Sequence, residues 1–186
     1  MNPTTADVVR ILGLEPHVEG GYYRETFCSP LSVDTPRGSR PLSTMTDYLL
    51  PEGSVSRLHR IESDELWVFR GGAPLEVVTF DDQGVVSCFV LGNVLTTPGW
   101  VRAAGEAGTA ESEFEMRPVV SQAVVAAGHW QGARVLADPD PRGLRTWAFV
   151  ACLVSPGFVY EDLEIGDAAA LTAAYPQHRA LIHDFT

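Results

Sequence analysis

The sequence has few basic residues and no long apolar run. Its 13 Lys and Arg residues stand against 24 Asp and Glu residues, so the formal net charge is -11 at pH 7. A protein that binds the phosphate backbone of nucleic acid needs a clustered basic surface, and no run of Lys or Arg occurs here. No apolar run approaches the roughly 20 residues that a membrane-spanning helix requires. The sequence therefore predicts neither a nucleic-acid partner nor a membrane partner.

Cysteine is also scarce, which argues against a disulfide scaffold. The three cysteines, Cys28, Cys88 and Cys152, are isolated, odd in number and never spaced as CxxC. They are typical of reduced thiols. The first residues, "MNPTTADVVRILGLEPH", lack a basic segment followed by a long apolar one, so no signal peptide is predicted. Together these features predict a cytoplasmic location.

The chain is rich in short segments of β-type composition. Hydrophobic residues make up 45% of its 186 residues, enough to build a substantial core. Runs rich in β-branched and aromatic residues are separated by Gly, Pro, Asp and Ser, with no helical pattern between them, which indicates an antiparallel sandwich or barrel. The runs are "YYRETF", "LSTMTDYLL", "SVSRLHRI", "DELWVFRG", "PLEVVTF", "VVSCFVLG", "VVSQAVVAAG", "ARVLA" and "LRTWAFVACLVS".

Helical signals are confined to the two ends. At the N-terminal end, Thr4 or Thr5 can cap a short helix that Gly13 ends. At the C-terminal end, Asp167 caps an alanine-rich turn that Pro176 halts. No linker or repeat divides residues 1–186, so a single domain is predicted.

The segment of residues 93–118 is the least strand-like part of the chain. It contains "GWVRAAGEAGTAESEFEM", which is small and acidic. Such composition is typical of a mobile loop. We expect either a lid over the barrel mouth or an arm that reaches a second copy of the chain.

The stretch "GSVSRLHRIESDELWVFRGG" carries the strongest functional signal. Alternation along a strand places His59 and Ile61 on one face, and places Glu65 and Trp67 on one face of the next strand. The short turn between the strands brings both faces to the same side. Because burying an unpaired carboxylate is costly, a His and a Glu that point together into an apolar barrel predict a site.

The spacing of Gly53, His59, Glu65 and Gly72 resembles the first cupin motif, with Ile61 in the place of the usual second histidine. The chain is identified as similar to the cupin-5 or DUF985 family of small single-domain cupins. The resemblance is carried by "GLEPHVEGGYYRETF", "DYLLPEGSVSRLHRIESDELWVFRGGAPLEV", "QAVVAAGHWQGAR" and "CLVSPGFVYEDLEIGDAAALTAAYPQH". It implies an all-β fold, a cupin-type antiparallel β-sandwich barrel of jelly-roll character, and a homodimer.

The second cupin motif departs from the family pattern. Its histidine ligand position falls on Gln131, with His129 two residues earlier, and Gln122 follows Ser121 where Pro-Gln is typical. A divalent metal would have to be held by His59, Glu65 and Gln131, and an amide oxygen is a poor ligand for zinc, copper or ferrous iron. The cofactor is therefore predicted to be either none or a divalent metal ion.

Three functions follow from these residues. The leading one is an enzyme that moves a proton on a small polar, anionic or sugar-like metabolite, as an isomerase, epimerase or lyase does. His59 would be its base, Glu65 would orient His59 or act beside it, and Tyr48 or water would return the proton. The first alternative is a metal-dependent, dioxygenase-like or isomerase-like cupin. The second is a barrel that binds a small ligand without catalysis, with His59 and Glu65 as a structural pair.

Further side chains are candidates for substrate contact. A guanidinium pairs well with a carboxylate or phosphate, which favours Arg24 and Arg57, and strand alternation places Arg57 on the face of His59. A surface salt bridge is the alternative for either arginine. The remaining candidates are aromatic walls or polar contacts: Trp67, Phe69, Trp130, Gln122 and Gln131. The other histidines, His17, His178 and His183, are predicted to lie on the surface.

Overall fold

The computed structural model describes residues 3–95, 100–103, 115–136 and 146–186. In this part of the chain most residues of regular structure lie in β-strands. The strands are β1 (Glu15–Pro16), β2 (Tyr22–Cys28), β3 (Ser32–Thr35), β4 (Gly38–Pro41), β5 (Thr44–Pro51), β6 (Val55–Arg60), β7 (Asp64–Gly72), β8 (Leu75–Phe80), β9 (Val86–Leu91), β10 (Trp100–Ala103), β11 (Glu115–Val120), β12 (Gln122–Val125), β13 (Trp130–Val135), β14 (Trp147–Ser155) and β15 (Glu164–Ile165).

The strands form two sheets and a separate hairpin. The six-stranded sheet has the order β1-β2-β5-β14-β7-β12, and the seven-stranded sheet has the order β10-β11-β9-β8-β13-β6-β15. Strands β3 and β4 form the hairpin. The pairings are antiparallel except that of β11 with β9, which is parallel. This is the antiparallel β-sandwich that the sequence predicts, and the fold class is confirmed.

The interior core lies between the two sheets. It combines Leu50 and Val150 of the six-stranded sheet with Leu75 and Val77 of the seven-stranded sheet, all nearly inaccessible to solvent. Strand β8 is buried along its whole length, so it does not show the alternation expected of a strand with one wet face. The reason is that its other face is covered as well.

The helices cover the outer faces of the sheets. Helix α1 (Thr5–Leu12) packs on the six-stranded sheet, and α2 (Ala168–Ala174) and α3 (Arg179–Asp184) pack on the seven-stranded sheet. The side chains of Val78 and Phe80 of β8 are buried beneath α2 and α3. Within the described residues, no helix is long and apolar enough to cross a membrane.

The helix ends are where the sequence predicts them. The side chain of Thr4 accepts a hydrogen bond from the backbone of Asp7, whose carboxylate accepts from the backbone N–H of Thr4, so the two form a capping box. Gly13 ends α1 in a left-handed conformation, with φ of 62°. Asp167 caps α2 by accepting from the backbone N–H of Ala170 at 2.8 Å.

The segment predicted as a lid or a dimer arm is partly sheet. Strand β10 and the first four residues of β11 fall within it and pair with each other, and the last two residues of β11, just beyond the segment, join the seven-stranded sheet through β9. Most of the segment, residues 96–99 and 104–114, lies outside the described residues. The lid and the arm therefore both stay predictions.

We expect Phe185→Ala to lower the free energy of unfolding by about 3–5 kcal/mol, because it empties a large buried site under the seven-stranded sheet. The Phe185 ring is fully buried, against Gly132 and beneath the guanidinium of Arg134. Phe27→Ala is the matched control, since the Phe27 side chain is 49% exposed and its loss should cost about 0.5 kcal/mol or less. Urea unfolding measures both, and equal losses would contradict this account of the core.

Candidate functional site

A β-bulge in β6 decides which side chains of this strand point into the sandwich. His59 pairs with Gln131 of β13, and Ser56 pairs with Ala133. Between these two pairs β6 advances by three residues and β13 by two, so β6 contains one extra residue. Ser56 and His59 are buried as a result, whereas Arg57 is exposed. The prediction that Arg57 shares a face with His59 is wrong, because the extra residue reverses the alternation. The guanidinium of Arg57 instead donates a hydrogen bond to the carbonyl of Val18.

A cavity of about 300 Å³ lies between the sheets. This volume is at the lower end of the range for small-molecule sites. Its apolar and aromatic lining in the described residues consists of Tyr23, Tyr48, Ile61, Trp67, Cys152, Val154, Phe158 and Tyr160. Its polar lining consists of His17, Glu19, Glu25, Thr44, Thr46, His59 and Glu65. The structure therefore brings His59, Glu65, Tyr48 and Trp67 to one cavity.

The imidazole of His59 is held in one orientation. Its Nδ1 atom lies 2.8 Å from the carbonyl oxygen of Arg57, a distance at which Nδ1–H donates to that oxygen. The Nε2 atom is then the basic nitrogen, and it lies 3.5 Å from Oε2 of Glu19. This separation is within ion-pair range, so Glu19 is the direct carboxylate neighbour of His59.

Glu19 is the charged cavity residue that the sequence did not predict. It lies in the loop between β1 and β2, where Gly20 and Gly21 have φ values of 109° and 65°. A Cβ atom on Gly20 would lie 2.3 Å from the carbonyl oxygen of Val55, so the loop can approach β6 only because glycine stands there. The "EGG" stretch shows the tight turn, but nothing in it shows that the turn folds over β6.

His17 is also part of the cavity, which corrects its prediction as a surface residue. Its backbone-facing nitrogen Nδ1 accepts from the N–H of Glu19 at 3.4 Å and lies 3.6 Å from Oε2 of the same residue. Its ring packs edge-on against Tyr23, with 4.5 Å between the ring centroids. The loop therefore folds back so that the imidazole of His17 lies against the backbone and the carboxylate of Glu19. His183 is exposed as predicted, and His178 is partly buried against Gly84.

The carboxyl group of Glu65 lies deeper in the sandwich and contacts neutral partners. Its Oε2 accepts a hydrogen bond from Nε2 of Gln131 at 2.5 Å. Gln131 in turn accepts from the indole N–H of Trp67 at 3.1 Å. Burial raises the pKa of Glu65 above its usual range, and the nearby charge of Glu19 adds to the rise, against the lowering effects of His59 and Gln131. Glu65 is therefore not the direct partner of His59.

The two buried carboxyl groups of the cavity are driven in opposite directions. Burial alone would raise the pKa of Glu19, but the neighbouring charge of His59 and the contacts from His17 and Ser56 outweigh it and leave the pKa below its ordinary value. Glu65 has a raised pKa in the same cavity. Two carboxyl groups with separated pKa values are suited to opposite roles in proton transfer.

The other predicted contact residues lie away from the cavity surface. Phe69 packs into the interior core, and Gln131 is fully buried behind Glu65. Trp130 lies in the outer cluster under the C-terminal helices, and Gln122 is exposed on β12. Trp130 is on the opposite face of β13 from Gln131, as alternation requires.

The predicted metal ligand set does not fit this geometry. Both halves of the Gln131 amide are occupied, its N–H group by Glu65 and its oxygen by Trp67. Across the described ranges no group of three or more His, Cys, Asp or Glu side chains is placed to hold a metal ion. We therefore derive no step through a metal.

The mouth of the cavity is built from aromatic residues and one carboxylate. The hydroxyl groups of Tyr23 and Tyr160 lie 3.0 Å apart, and the ring of Phe158 packs edge-on against that of Tyr160 at 5.2 Å between centroids. This hydrogen bond, with some burial, raises the pKa of Tyr160 to about 12. Glu25 lies beside them on β2 and is exposed.

The turn that carries Tyr160 is held by the β3–β4 hairpin. The guanidinium of Arg40 donates two hydrogen bonds of 2.9 Å to the carboxylate of Asp162, and Arg37 lies 3.3 Å from the same carboxylate. These contacts lower the pKa of Asp162. A bidentate pair of this kind fixes direction as well as distance. The hairpin, which the sequence did not predict, therefore fixes one side of the mouth.

Comparison with known proteins gives a consistent picture. The profile of the family described as Cupin superfamily (DUF985) matches residues 6–166. A solved protein from Shewanella oneidensis is 30% identical, with a TM-score of 0.77 over 100% of this chain and 98% of that chain. A hypothetical protein from Leishmania major is 31% identical, with a TM-score of 0.80 over 99% of both chains. No curated protein matches this chain.

The raised pKa of Glu65 predicts a stability change with pH. The folded state holds the Glu65 proton more tightly than the unfolded state, whose reference pKa is 4.5. As pH rises from about 4.5 through the folded-state value, wild type should lose stability relative to Glu65→Gln, since an amide does not ionise. Above that window the difference should level off.

Urea unfolding at a series of pH values measures this difference in unfolding free energy. Gln122→Ala, which removes no titratable group, is the control and should show a difference that does not vary with pH. The unfolding free energy of Glu65→Gln minus that of wild type should therefore rise with pH. If it stays flat or falls instead, the buried carboxyl group ionises at least as easily as an exposed one.

Proposed function

The chain belongs to the Cupin superfamily (DUF985), and on that premise we propose that it is an enzyme that moves protons on a small polar metabolite bound between its two sheets. The observation that carries the proposal is the pair of buried carboxyl groups, Glu19 and Glu65, whose pKa values are displaced in opposite directions beside His59. Active sites are places where burial and neighbouring charges are arranged to displace pKa values, and the two groups lie in one cavity with His59. Such a pair can act as acid and supporting base in proton transfer of the isomerase, epimerase or lyase kind.

His59 is the base in this proposal. The Arg57 carbonyl holds its Nδ1 proton, so the lone pair of Nε2 is free to accept a proton from substrate. Glu19, at 3.5 Å from Nε2, stabilises the imidazolium that then forms. Glu19 therefore has the supporting role that was predicted for Glu65.

Glu65 is the acid in place of Tyr48. The hydroxyl of Tyr48 already donates to the carbonyl of Gly20 at 2.9 Å, and burial raises its pKa far above the ordinary value, with the charge of Glu19 adding to the effect. A phenol in that state is a poor proton donor. A carboxyl group with a raised pKa keeps its proton nearer neutral pH and gives it up more readily than a phenol.

The proton steps balance without an oxidant or a reductant. Nε2 of His59 takes a proton from a carbon next to a carbonyl group, so a C–H bond breaks and an N–H bond forms. Glu65 gives its proton to the carbonyl oxygen, which produces an enol. An epimer forms when the same carbon regains a proton on its other face and the enol O–H proton returns to Glu65. In an α-hydroxy carbonyl compound the enol is an enediol, and an isomer forms when the former carbonyl carbon takes the proton from His59 while the hydroxyl on the neighbouring carbon gives its proton to Glu65, so that the carbonyl forms there. A lyase product forms when the bond to a β-substituent breaks, the substituent leaves with the electron pair and takes the proton from His59, and the enol O–H proton returns to Glu65.

The lining favours a substrate without negative charge. The described lining residues include three carboxyl groups, Glu19, Glu25 and Glu65, and no Lys or Arg. Arg24 is half-exposed and lies 3.6 Å from the carboxylate of Asp47, outside the lining. An anionic metabolite would enter against like charge without a cation to receive it. The proposed substrate is therefore neutral or cationic, which keeps the sugar-like substrate of the sequence-based prediction and replaces the anionic one.

A homodimer and a cytoplasmic location complete the proposal. The family resemblance supports the dimer. Reduced thiols support the location: Cys28, Cys88 and Cys152 are free, and Cys28 is exposed. Size-exclusion chromatography with light scattering tests the dimer directly.

Hydrogen exchange with solvent tests the proton transfer before the natural substrate is identified. Small hydroxylated and aminated carbonyl compounds are incubated with the enzyme in deuterated water, and deuterium on carbon is detected by NMR. We expect incorporation into at least one compound, slowed roughly 100-fold or more by His59→Gln and by Glu65→Gln. Glu52→Gln, the same chemical change at an exposed site away from the cavity, should exchange as wild type does.

Two results would count against the proposal. Exchange that persists unchanged in folded His59→Gln protein would remove the base. Compounds that bind in the cavity without any exchange would favour the alternative of a barrel that binds a ligand without catalysis. Circular dichroism of each variant separates loss of function from loss of fold.

A further inference from the structure

Three aromatic rings and one carboxylate surround the mouth of the cavity. Tyr23 comes from β2, and Phe158 and Tyr160 come from the segment between β14 and β15. Tyr160 is 53% exposed, whereas His59 at the inner end of the cavity is 2% exposed, so the rings stand where a ligand enters. We call Tyr23, Glu25, Phe158 and Tyr160 the mouth cluster.

Glu25 is the one member of the mouth cluster that carries charge. Its carboxylate forms no hydrogen bond or ion pair with any residue that the structure describes. The inner carboxyl groups are different, because Glu19 lies against His59 and Glu65 accepts from Gln131. The uncompensated negative charge of the cavity therefore lies at its mouth.

This combination matches the chemistry of organic cations. The face of an aromatic ring carries partial negative charge and attracts a cation within about 6 Å of the ring centre. A carboxylate adds direct attraction, and the described lining holds no Lys or Arg that would repel a positive charge. A small inorganic cation would instead require several oxygen ligands, which one carboxylate and two phenol groups do not supply.

We propose that the mouth cluster binds an ammonium group, so that the cavity takes a small organic cation whose uncharged end reaches His59. The substrate class is thus a small amine or quaternary ammonium compound with a polar tail. This inference rests on the proposed function for the role of the inner end, but binding at the mouth requires no chemistry. The cavity of about 300 Å³ suits a molecule of this size.

The test is a series of three probes of one shape and different charge. Choline is the cation, 3,3-dimethylbutan-1-ol is its neutral counterpart, and 3,3-dimethylbutanoate is an anion with the same tertiary butyl group. Binding to the full chain is measured by NMR titration at fixed ionic strength. We expect choline to bind about tenfold tighter than the neutral alcohol, and the anion to bind weakest.

Variants of the mouth cluster locate the effect. Glu25→Gln should reduce the preference for choline over the alcohol by about fivefold, while Glu52→Gln should leave it unchanged. Tyr160→Phe keeps the ring and should keep most of the preference, whereas Tyr160→Leu removes the ring and should lose it. Equal binding of choline and the alcohol, tighter binding of the anion, or no binding of any probe would each overturn the inference.

Failure here is distinguishable from failure of the proposed function. In one outcome choline binds selectively, also to His59→Gln protein, while no compound exchanges hydrogen. That result would contradict the proposed proton transfer and support the cation site. If hydrogen exchange occurs but choline binds no tighter than the alcohol, the result supports the proposed proton transfer and contradicts the cation site.

Discussion

The single extra residue in β6 is the constraint on which the site depends. Without the bulge, regular alternation would turn Arg57 to the same side as His59, the side on which the carboxylate of Glu19 lies. With it, the backbone carbonyl of Arg57 is presented to the imidazole at 2.8 Å and sets which nitrogen faces the cavity. A local irregularity of the backbone thus selects both the neighbours and the working atom of one side chain.

Around that imidazole, the protein separates two chemically identical groups by their surroundings. Glu19 arrives on a glycine turn, among imidazoles and a hydroxyl that favour its charged form. Glu65 lies on β7, among the amide of Gln131, the indole of Trp67 and the thiol of Cys152. These neutral groups do not offset the effect of burial on its pKa. The cost of an ionised carboxylate differs between these two places because the local polarity differs, and no direct contact between the two groups is needed.

Most of the fold could be predicted from the sequence, because alternating strand patterns, helix-capping residues and turn glycines each determine structure within a few residues of themselves. The sequence also predicted that His59, Glu65 and Trp67 share one cavity with Tyr48. Glu65 and Trp67 follow regular alternation on β7, and His59 lies beyond the β6 bulge on the side next to β7. Prediction from the sequence failed where the outcome depends on contacts between distant segments. The loop of Glu19 folds over β6 only through a backbone approach that no pattern of residue types reveals. Arg57 was misplaced because a bulge leaves no mark in composition.

The backbone N–H of Leu58, next to His59, donates at 2.8 Å to the carbonyl of Phe185 in the C-terminal tail. That tail lies beyond residue 166, where the match to the family profile stops. Relatives with an identical cavity lining can therefore differ in how firmly the imidazole-bearing strand is braced from behind. A change in this tail, which lines no part of the cavity, can alter the local stability of the strand that carries His59 while leaving every cavity side chain as it is.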